Sequence, residues 1–339
     1  MKSFPFEEKD IIQAYLAETD RKADAVFVEK TLNRPLSIVA RIRIVLQDGT
    51  AEQVYLKYYR SKQGESTADV VRRDYATSLF WWGRFKESSQ FSVIQPLWKD
   101  EEKGVLITRE SEGVDLQTAL NRGKILPGLF RDRASMSEMM RLTGGWLKYF
   151  QNISPEDIPA NQPTLDYILN YIAIRMDRIV EKTNIGFDRR LQDRVNRYLE
   201  NAWARTTDQD RQAVYLHSDF SLSNVLYAPG RVTVLDFTKR ETGSAYKDLT
   251  RFYHQLLLLS FKPAFSKSFV RTLQHQFLKG YGDEAIEGHP MFKIFLMIHY
   301  INHLGKSARF WEQSTKGKLY NYWVVYNVMK LIKAEVDFT

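Results

Sequence analysis

The sequence predicts an α+β protein of two lobes: a small antiparallel sheet with one main helix in residues 1–110, then a larger, mostly helical lobe in residues 111–339. Three observations lead there. Early segments rich in β-branched and aromatic residues surround the turn Gln47-Asp48-Gly49. From Leu116 onward, apolar residues recur at helical spacing instead. A chain of 339 residues also exceeds what one hydrophobic core usually supports, which favours two lobes.

Taken in order, a helix is expected at Glu7 to Ala17, then strands at Ala25 to Thr31, Ser37 to Leu46 and Glu52 to Tyr59, the last two joined as a hairpin. A long helix from Thr67 to Lys86 precedes two further strands, Phe91 to Trp98 and Gly104 to Thr108, around the polar turn Lys99-Asp100-Glu101-Glu102-Lys103. The small lobe closes near Arg109 to Gly113. Helices are then expected at Arg131 to Phe150, Thr164 to Glu181, Arg189 to Trp203, Tyr246 to Ser260, Phe265 to Tyr281, Phe292 to Leu304 and Lys318 to Glu335. Only one hairpin is expected to interrupt them: Val225-Leu226-Tyr227 and Val232-Thr233-Val234-Leu235 around Pro229-Gly230. No internal repeat or low-complexity linker is present, so a hinge rather than a tether is expected between the lobes.

Composition narrows the function. With 44% hydrophobic and 13% aromatic residues the chain has enough apolar surface to fold. The absence of cysteine excludes disulfides, thiolate metal sites and a cysteine nucleophile. The start, MKSFPFEEKDIIQAYL, has no export-signal pattern, and the longest apolar runs fall short of a membrane span, so a cytoplasmic protein is expected. A net charge of +8 attracts phosphates, acidic sugars or the anionic inner face of a membrane. No RNA-binding signature supports a nucleic-acid partner.

The stretch HSDFSLSNVLYAPGRVTVLDFT, residues 217–238, carries the chemistry. A hairpin needs none of Asp219, Asn224 and Asp236. Asp236 ends an apolar strand, where a carboxylate is costly to desolvate unless a cation meets it. Asn224 and Asp236 are the oxygen donors that Mg2+ takes together with the phosphates of ATP. Asp219 is then left to accept the proton of a substrate hydroxyl during in-line phosphoryl transfer. His217 braces the loop.

This run, with Val234-Leu235-Asp236-Phe237, closely resembles the catalytic loop and metal-binding segment of aminoglycoside phosphotransferase-like kinases, within the protein-kinase-like superfamily. Val54-Tyr55-Leu56-Lys57-Tyr58-Tyr59-Arg60 resembles that family's strand whose lysine pairs the nucleotide phosphates. Leu106 to Leu116, with Thr108-Arg109-Glu110, resembles the strand, hinge and first helix between the lobes. A weaker similarity links these stretches to lipopolysaccharide core-sugar kinases. The resemblance implies a bilobal protein-kinase-like fold with Asp219 catalytic, Asn224 and Asp236 on the metal, and Lys57, Asp74, Thr108 and Glu110 at the nucleotide. Strand periodicity independently puts Tyr55, Lys57 and Tyr59 on one face, opposite Val54, Leu56 and Tyr58.

The chain also departs from the family. Asp74 stands where relatives carry a glutamate facing the lysine, with Glu65 as the other candidate partner. The expected phosphate-covering loop, Thr31 to Ser37, has no glycine, leaving Asn33 or Arg34 to compensate through side chains. Thr238 replaces the glycine after Asp236-Phe237, which restricts the segment. Asp248-Leu249 matches the helix-start aspartate that supports the catalytic loop.

These features imply an ATP- and Mg-dependent phosphotransferase acting on a hydroxyl of a sugar or related metabolite, in a bacterial surface glycan or lipopolysaccharide. The rival reading is a catalytically silent kinase-like binding module. The positive charge argues against polycationic aminoglycosides and against choline-like cations. The acceptor pocket is expected among the C-terminal helices, with Lys239, Arg240, His299, His303 and Trp311 as candidates. The spacing of His299 and His303 also fits packing residues, and neither receives a catalytic role.

Overall fold

Residues 4–60, 64–126, 129–130, 132–153, 163–308 and 315–337 are described by a computed structural model of the chain. Arg131 and Trp311 lie outside the described residues.

In chain order the elements are α1 (Glu8–Glu18), β1 (Ala23–Asn33), β2 (Ser37–Leu46), β3 (Ala51–Tyr59), α2 (Thr67–Phe85), β4 (Phe91–Val93), β5 (Pro96–Asp100), β6 (Val105–Arg109) and β7 (Val114–Asp115). Next come α3 (Leu116–Arg122), β8 (Lys124–Leu126), β9 (Leu129–Phe130), α4 (Arg133–Asn152), α5 (Leu165–Lys182), α6 (Arg189–Trp203), β10 (Ala213–Leu216), β11 (Val225–Ala228) and β12 (Arg231–Val234). The chain ends with β13 (Glu241–Ser244), α7 (Ala245–Leu259), α8 (Lys267–Tyr281), α9 (Pro290–Ser307) and α10 (Thr315–Asp337). Contacts group them into two units: Met1–Asp115 with Asn224–Arg240, and Leu116–Ser223 with Glu241–Thr339.

In the first unit, period-two alternation decides the sheet. Ile38, Ala40, Ile42 and Ile44 of β2 point to one face and are almost fully buried, as are Val54 and Leu56 of β3. They pack on Ile11, Ile12, Tyr15 and Leu16 of α1. Each buried isoleucine, leucine or valine among them stabilises the fold by about 1.5–3 kcal/mol relative to exposure. The resulting sheet has the order β1-β2-β3-β6-β5, with β3 antiparallel to both neighbours. Tyr59, on the other face, joins Val71 of α2 and Leu106.

The stretch Phe91 to Trp98 is not one strand. It splits at Ile94-Gln95 into β4 and β5, which belong to different sheets. Pro96 has no N–H to donate and marks the start of β5. β4 instead runs parallel to β12, in a second sheet ordered β4-β12-β11-β7. Gly113 precedes β7 with φ +117°, and a Cβ there would stand 2.7 Å from the Tyr227 carbonyl oxygen, so the close approach requires glycine.

In the second unit, side-chain oxygens start the helices: Asp188 accepts from the Leu191 N–H before α6, and Ser266 from the Phe269 N–H before α8. α4 and α8 cross with their backbones in close approach. A Cβ on Gly280 would stand 2.6 Å from the Arg141 carbonyl carbon, and one on Gly144 2.7 Å from the Tyr281 nitrogen. The hairpin is not the sole interruption among the helices. β10 pairs antiparallel with β13, Leu216 opposite Glu241, and β8 pairs with β9. The segment Glu-Thr-Gly-Ser of β13 carries no apolar alternation to announce a strand. No described helix is long and apolar enough to cross a membrane.

Candidate active site

Asp219 sits in the second unit on a loop that follows β10, and buried groups hold that loop from below. Asp248, in the first turn of α7, is fully buried and accepts hydrogen bonds from the backbone N–H of His217 (2.6 Å) and Ser218 (3.0 Å). Burial raises the Asp248 carboxyl pKa, while His217 and the two N–H donors oppose the rise. Ser218 has φ 64°, a left-handed conformation unusual for a residue with a side chain. Its hydroxyl donates to Glu241, which also receives Lys247 Nζ at 2.9 Å.

Beyond it, the Asp219 N–H donates to His217 Nδ1 at 3.3 Å, so the imidazole braces the loop. Phe220 is fully buried, stacked on Trp146 at 5.5 Å and packed on Phe252 at 5.0 Å. The Leu222 N–H donates to Gln255 Oε1 at 3.1 Å. With its neighbours fixed inward, the Asp219 carboxylate is directed outward and remains 59% exposed, where the Arg251 guanidinium donates to it.

The first unit carries the rest of the motif. Asn224 is buried, and its carbonyl accepts the Leu235 N–H at 2.9 Å across the β11–β12 hairpin. Asp236 follows β12 in a left-handed conformation, φ 60°. Lys57 Nζ lies 3.0 Å from Asp236 Oδ1 and 4.8 Å from the centre of the Tyr59 ring. The segment after Asp236 is anchored to α2: Phe237 is buried 6.0 Å from Trp81, and Arg73 Nε donates to the Thr238 carbonyl at 2.7 Å.

Lys57 is thus ion-paired with Asp236, while Glu65 pairs with Arg73. Asp74 is buried and accepts from the Tyr59 hydroxyl at 2.8 Å, with Arg73 Nη2 3.5 Å from its other oxygen. Thr108 lies in β6 opposite Tyr55. Glu110 receives both Arg41 Nε (2.7 Å) and Nη2 (2.9 Å), and the Tyr55 hydroxyl at 3.4 Å. Arg41, Gln53, Glu110, Ser111 and Gly113 help line a cavity of about 500 Å³. In the turn between β1 and β2, Arg60 donates to the Arg34 carbonyl at 2.6 Å and to the Asn33 side chain.

Sequence reasoning placed Tyr59 beside Lys57 but missed its bond to Asp74, and it missed Arg251 and Glu241. Arg251 had a signal: it stands three residues after Asp248 on a helix, and so shares a face with it. Of the acceptor candidates, Arg240 lies 4.8 Å over the Phe80 ring. His299 and His303 pack with His254 between α7 and α9, with ring centres 6.0 and 5.3 Å from His254. Burial pushes the pKa of all three below the ordinary histidine value, His299 and His303 to about 4.

The sequence profile of the phosphotransferase enzyme family matches residues 91–289, more than half of the chain and all of the loop-and-hairpin motif. The chain belongs to this family. As a member of it, this protein is a phosphotransferase. No curated protein sequence matches it.

Solved structures match the phosphotransferase over nearly its whole length. Macrolide 2'-phosphotransferase MphH from Brachybacterium faecium shares 14% identity, covering 93% of this chain and 97% of its own, with a TM-score of 0.53. Aminoglycoside phosphotransferase APH(4)-Ia, solved with AMP-PNP and hygromycin B, shares 11% over 94% and 98%, with a TM-score of 0.57. A choline/ethanolamine kinase family protein from Mesorhizobium loti shares 14% over 98% and 100%, with a TM-score of 0.55. These likenesses establish the protein-kinase-like α+β fold.

Asp74 gives the phosphotransferase a measurable pH signature. Burial is the main reason its pKa rises from the ordinary 3.8 to about 6; Lys57, the Tyr59 hydrogen bond and Arg73 pull it down, and Asp236 adds to the rise. An aspartate with a raised native pKa binds more protons folded than unfolded, so its contribution to stability falls as pH rises from about 4 to about 6, then levels. The shift corresponds to about 3 kcal/mol. Asp74→Asn keeps an acceptor for Tyr59 and removes that slope. Urea midpoints of parent and variant should therefore diverge, the variant gaining, between about pH 4 and about pH 7. Parallel curves would exclude a buried, reluctant carboxylate.

Proposed function

We propose that this phosphotransferase moves the γ-phosphate of ATP, with Mg2+, onto a hydroxyl of a neutral or anionic sugar or related metabolite, such as one in a bacterial surface glycan or lipopolysaccharide. The observation that carries the reading is the Lys57–Asp236 ion pair, which joins a strand lysine to the carboxylate after the hairpin across 179 residues of sequence.

Each residue then has a task. Asp219 accepts or orients the proton of the acceptor hydroxyl, and Arg251 holds its carboxylate in place. Lys57 holds the nucleotide phosphates, and Asp74 supports that end of the sheet through Tyr59. Thr108 and Glu110 border the base, with the cavity beside Glu110 as its place. Asn224 and Asp236 offer the hard oxygen donors that a magnesium ion takes in small number beside phosphate oxygens. When bound, that ion would neutralise charge on the phosphates. Among the described residues no group of three or more His, Cys, Asp or Glu forms a metal site, and none is needed for this mode of binding.

Related structures carry antibiotics and nucleotides, and one belongs to a choline/ethanolamine kinase family, so kinship at 11–14% identity does not select the acceptor. Charge does discriminate: a chain of +8 attracts an acidic sugar and repels a polycation. We place the enzyme in the cytoplasm, at the inner membrane face.

The test is a nucleotide-consumption assay over neutral and acidic sugars, glycans, aminoglycosides and choline, with Asp219→Ala as control and magnesium-dependent thermal stabilisation by ATP measured in parallel. Consumption that requires a neutral or acidic sugar supports the proposal. Preference for a polycation refutes the acceptor class. Nucleotide binding without transfer to any acceptor would favour a silent binding module.

A further inference from the structure

Helix α10 carries a stripe that does not turn inward. Leu319, Tyr322, Trp323 and Tyr326 recur at helical spacing and are 74%, 64%, 49% and 56% exposed. Lys330 and Lys333 continue the same line toward the C-terminal end, and both are exposed. The packed side of the helix is separate: Val324, Val328 and Ile332 are buried. Trp323 and Tyr326 stack with ring centres 6.0 Å apart, and the indole N–H donates to the Phe261 carbonyl at 3.2 Å, so the ring is held in place. A groove of about 640 Å³ follows the stripe, walled by Tyr322, Tyr326, Met329, Lys330 and Lys333 of α10 and by Ile185.

A helix facing only water gains nothing from displaying four large apolar or aromatic side chains in one row. Tyrosine and tryptophan favour the boundary between water and hydrocarbon, where one part of the ring is wet and the rest is not. Lysine lays its stem along apolar surface and keeps its ammonium group at the headgroups. Negative lipid headgroups attract such ammonium groups, and a net charge of +8 adds to that attraction. The stripe therefore combines an interfacial ring belt with charge complementary to anionic lipid.

We propose that this face of α10 is the surface on which the protein lies against an anionic bilayer, rings in the interfacial layer and lysines among the headgroups. The inference rests on the placement at the membrane face proposed above and is independent of the phosphotransfer chemistry.

Cosedimentation of the full chain with phosphatidylcholine vesicles, with and without phosphatidylglycerol, tests it. Binding should require the anionic lipid and weaken as salt is raised. Lys330→Glu with Lys333→Glu should lower partitioning by at least about tenfold. Tyr322→Ser with Tyr326→Ser should lower it too, with both variants retaining the parent's thermal transition. The fluorescence of Trp323, taken as the difference from Trp323→Phe, should shift to the blue on binding. Vesicle binding that survives both double variants would overturn the α10 assignment while leaving the membrane placement standing. No vesicle binding would overturn both. Self-association lost in the tyrosine variant, without lipid binding, would assign the stripe to a second copy of the chain and overturn the proposal.

Discussion

Asp219→Asn is expected to lower turnover by roughly 10²–10⁴-fold, the usual contribution of a positioned general base, while leaving the thermal transition unchanged. The amide keeps the size of the carboxylate and an oxygen for Arg251, so the exposed end of the loop loses charge but not shape. The loop itself is held elsewhere, by Asp248 on the backbone of His217 and Ser218 and by Phe220 against Trp146. Nucleotide affinity, read as the KM for ATP, should change little because Lys57, proposed to hold the phosphates, is on another segment. Arg251→Gln is the companion measurement. Removing the guanidinium takes away the contact that holds the Asp219 carboxylate, so turnover should fall while the KM for ATP changes little. Turnover of the asparagine variant near that of the parent would remove Asp219 from the mechanism.

The largest expected effect on stability comes from a residue with no chemistry. Gly280→Ala places a methyl group where α8 meets the backbone of α4 at Arg141. The obstruction is main chain rather than the end of a flexible side chain, so relief requires the two helices to separate. Overpacking usually costs about 1–3 kcal/mol and occasionally more, and a clash with main chain belongs at the upper end. Gly144→Ala meets the other side of the same crossing, at Phe277 and Tyr281. Chemical denaturation should show both variants strongly destabilised, and the double variant should lose less than the sum because one shift of the helices relieves both clashes. A variant as stable as the parent would mean that the crossing has room the structure does not show.

Local pattern made much of this fold legible. β2 and β3 announce themselves through strict alternation, and the turn Gln47-Asp48-Gly49 tells how they pair. The helices of the second unit follow from apolar spacing and from starts such as Asp188 and Ser266. Pairings between distant segments leave no such mark. Nothing in Phe91-Ser92-Val93 says that it will run parallel to Val232-Thr233-Val234, and nothing in Glu241 to Ser244 says strand until Ala213 to Leu216 lies beside it. The site divides in the same way. Asp219, Asn224 and Asp236 are visible as residue types at a telling spacing, whereas their partners depend on geometry. Asp74 was readable as a substitution for glutamate, but its union with Tyr59 depends on how α2 packs against the face of β3 that carries Lys57.

The three packed histidines set a lower limit on tolerable acidity. Burial in the helix interior keeps their rings neutral, with Arg251, Lys247 and Lys306 adding repulsion toward a second positive charge nearby. An unfolded chain has no such reluctance and takes up protons near the ordinary 6.5. Acidification from there toward about pH 4 therefore feeds the unfolded population, against the opposing slopes of the buried carboxyls Asp74 and Asp248. Three imidazoles outweigh two carboxyls, so the molecule is built for near-neutral surroundings and should come apart in a compartment that turns sour.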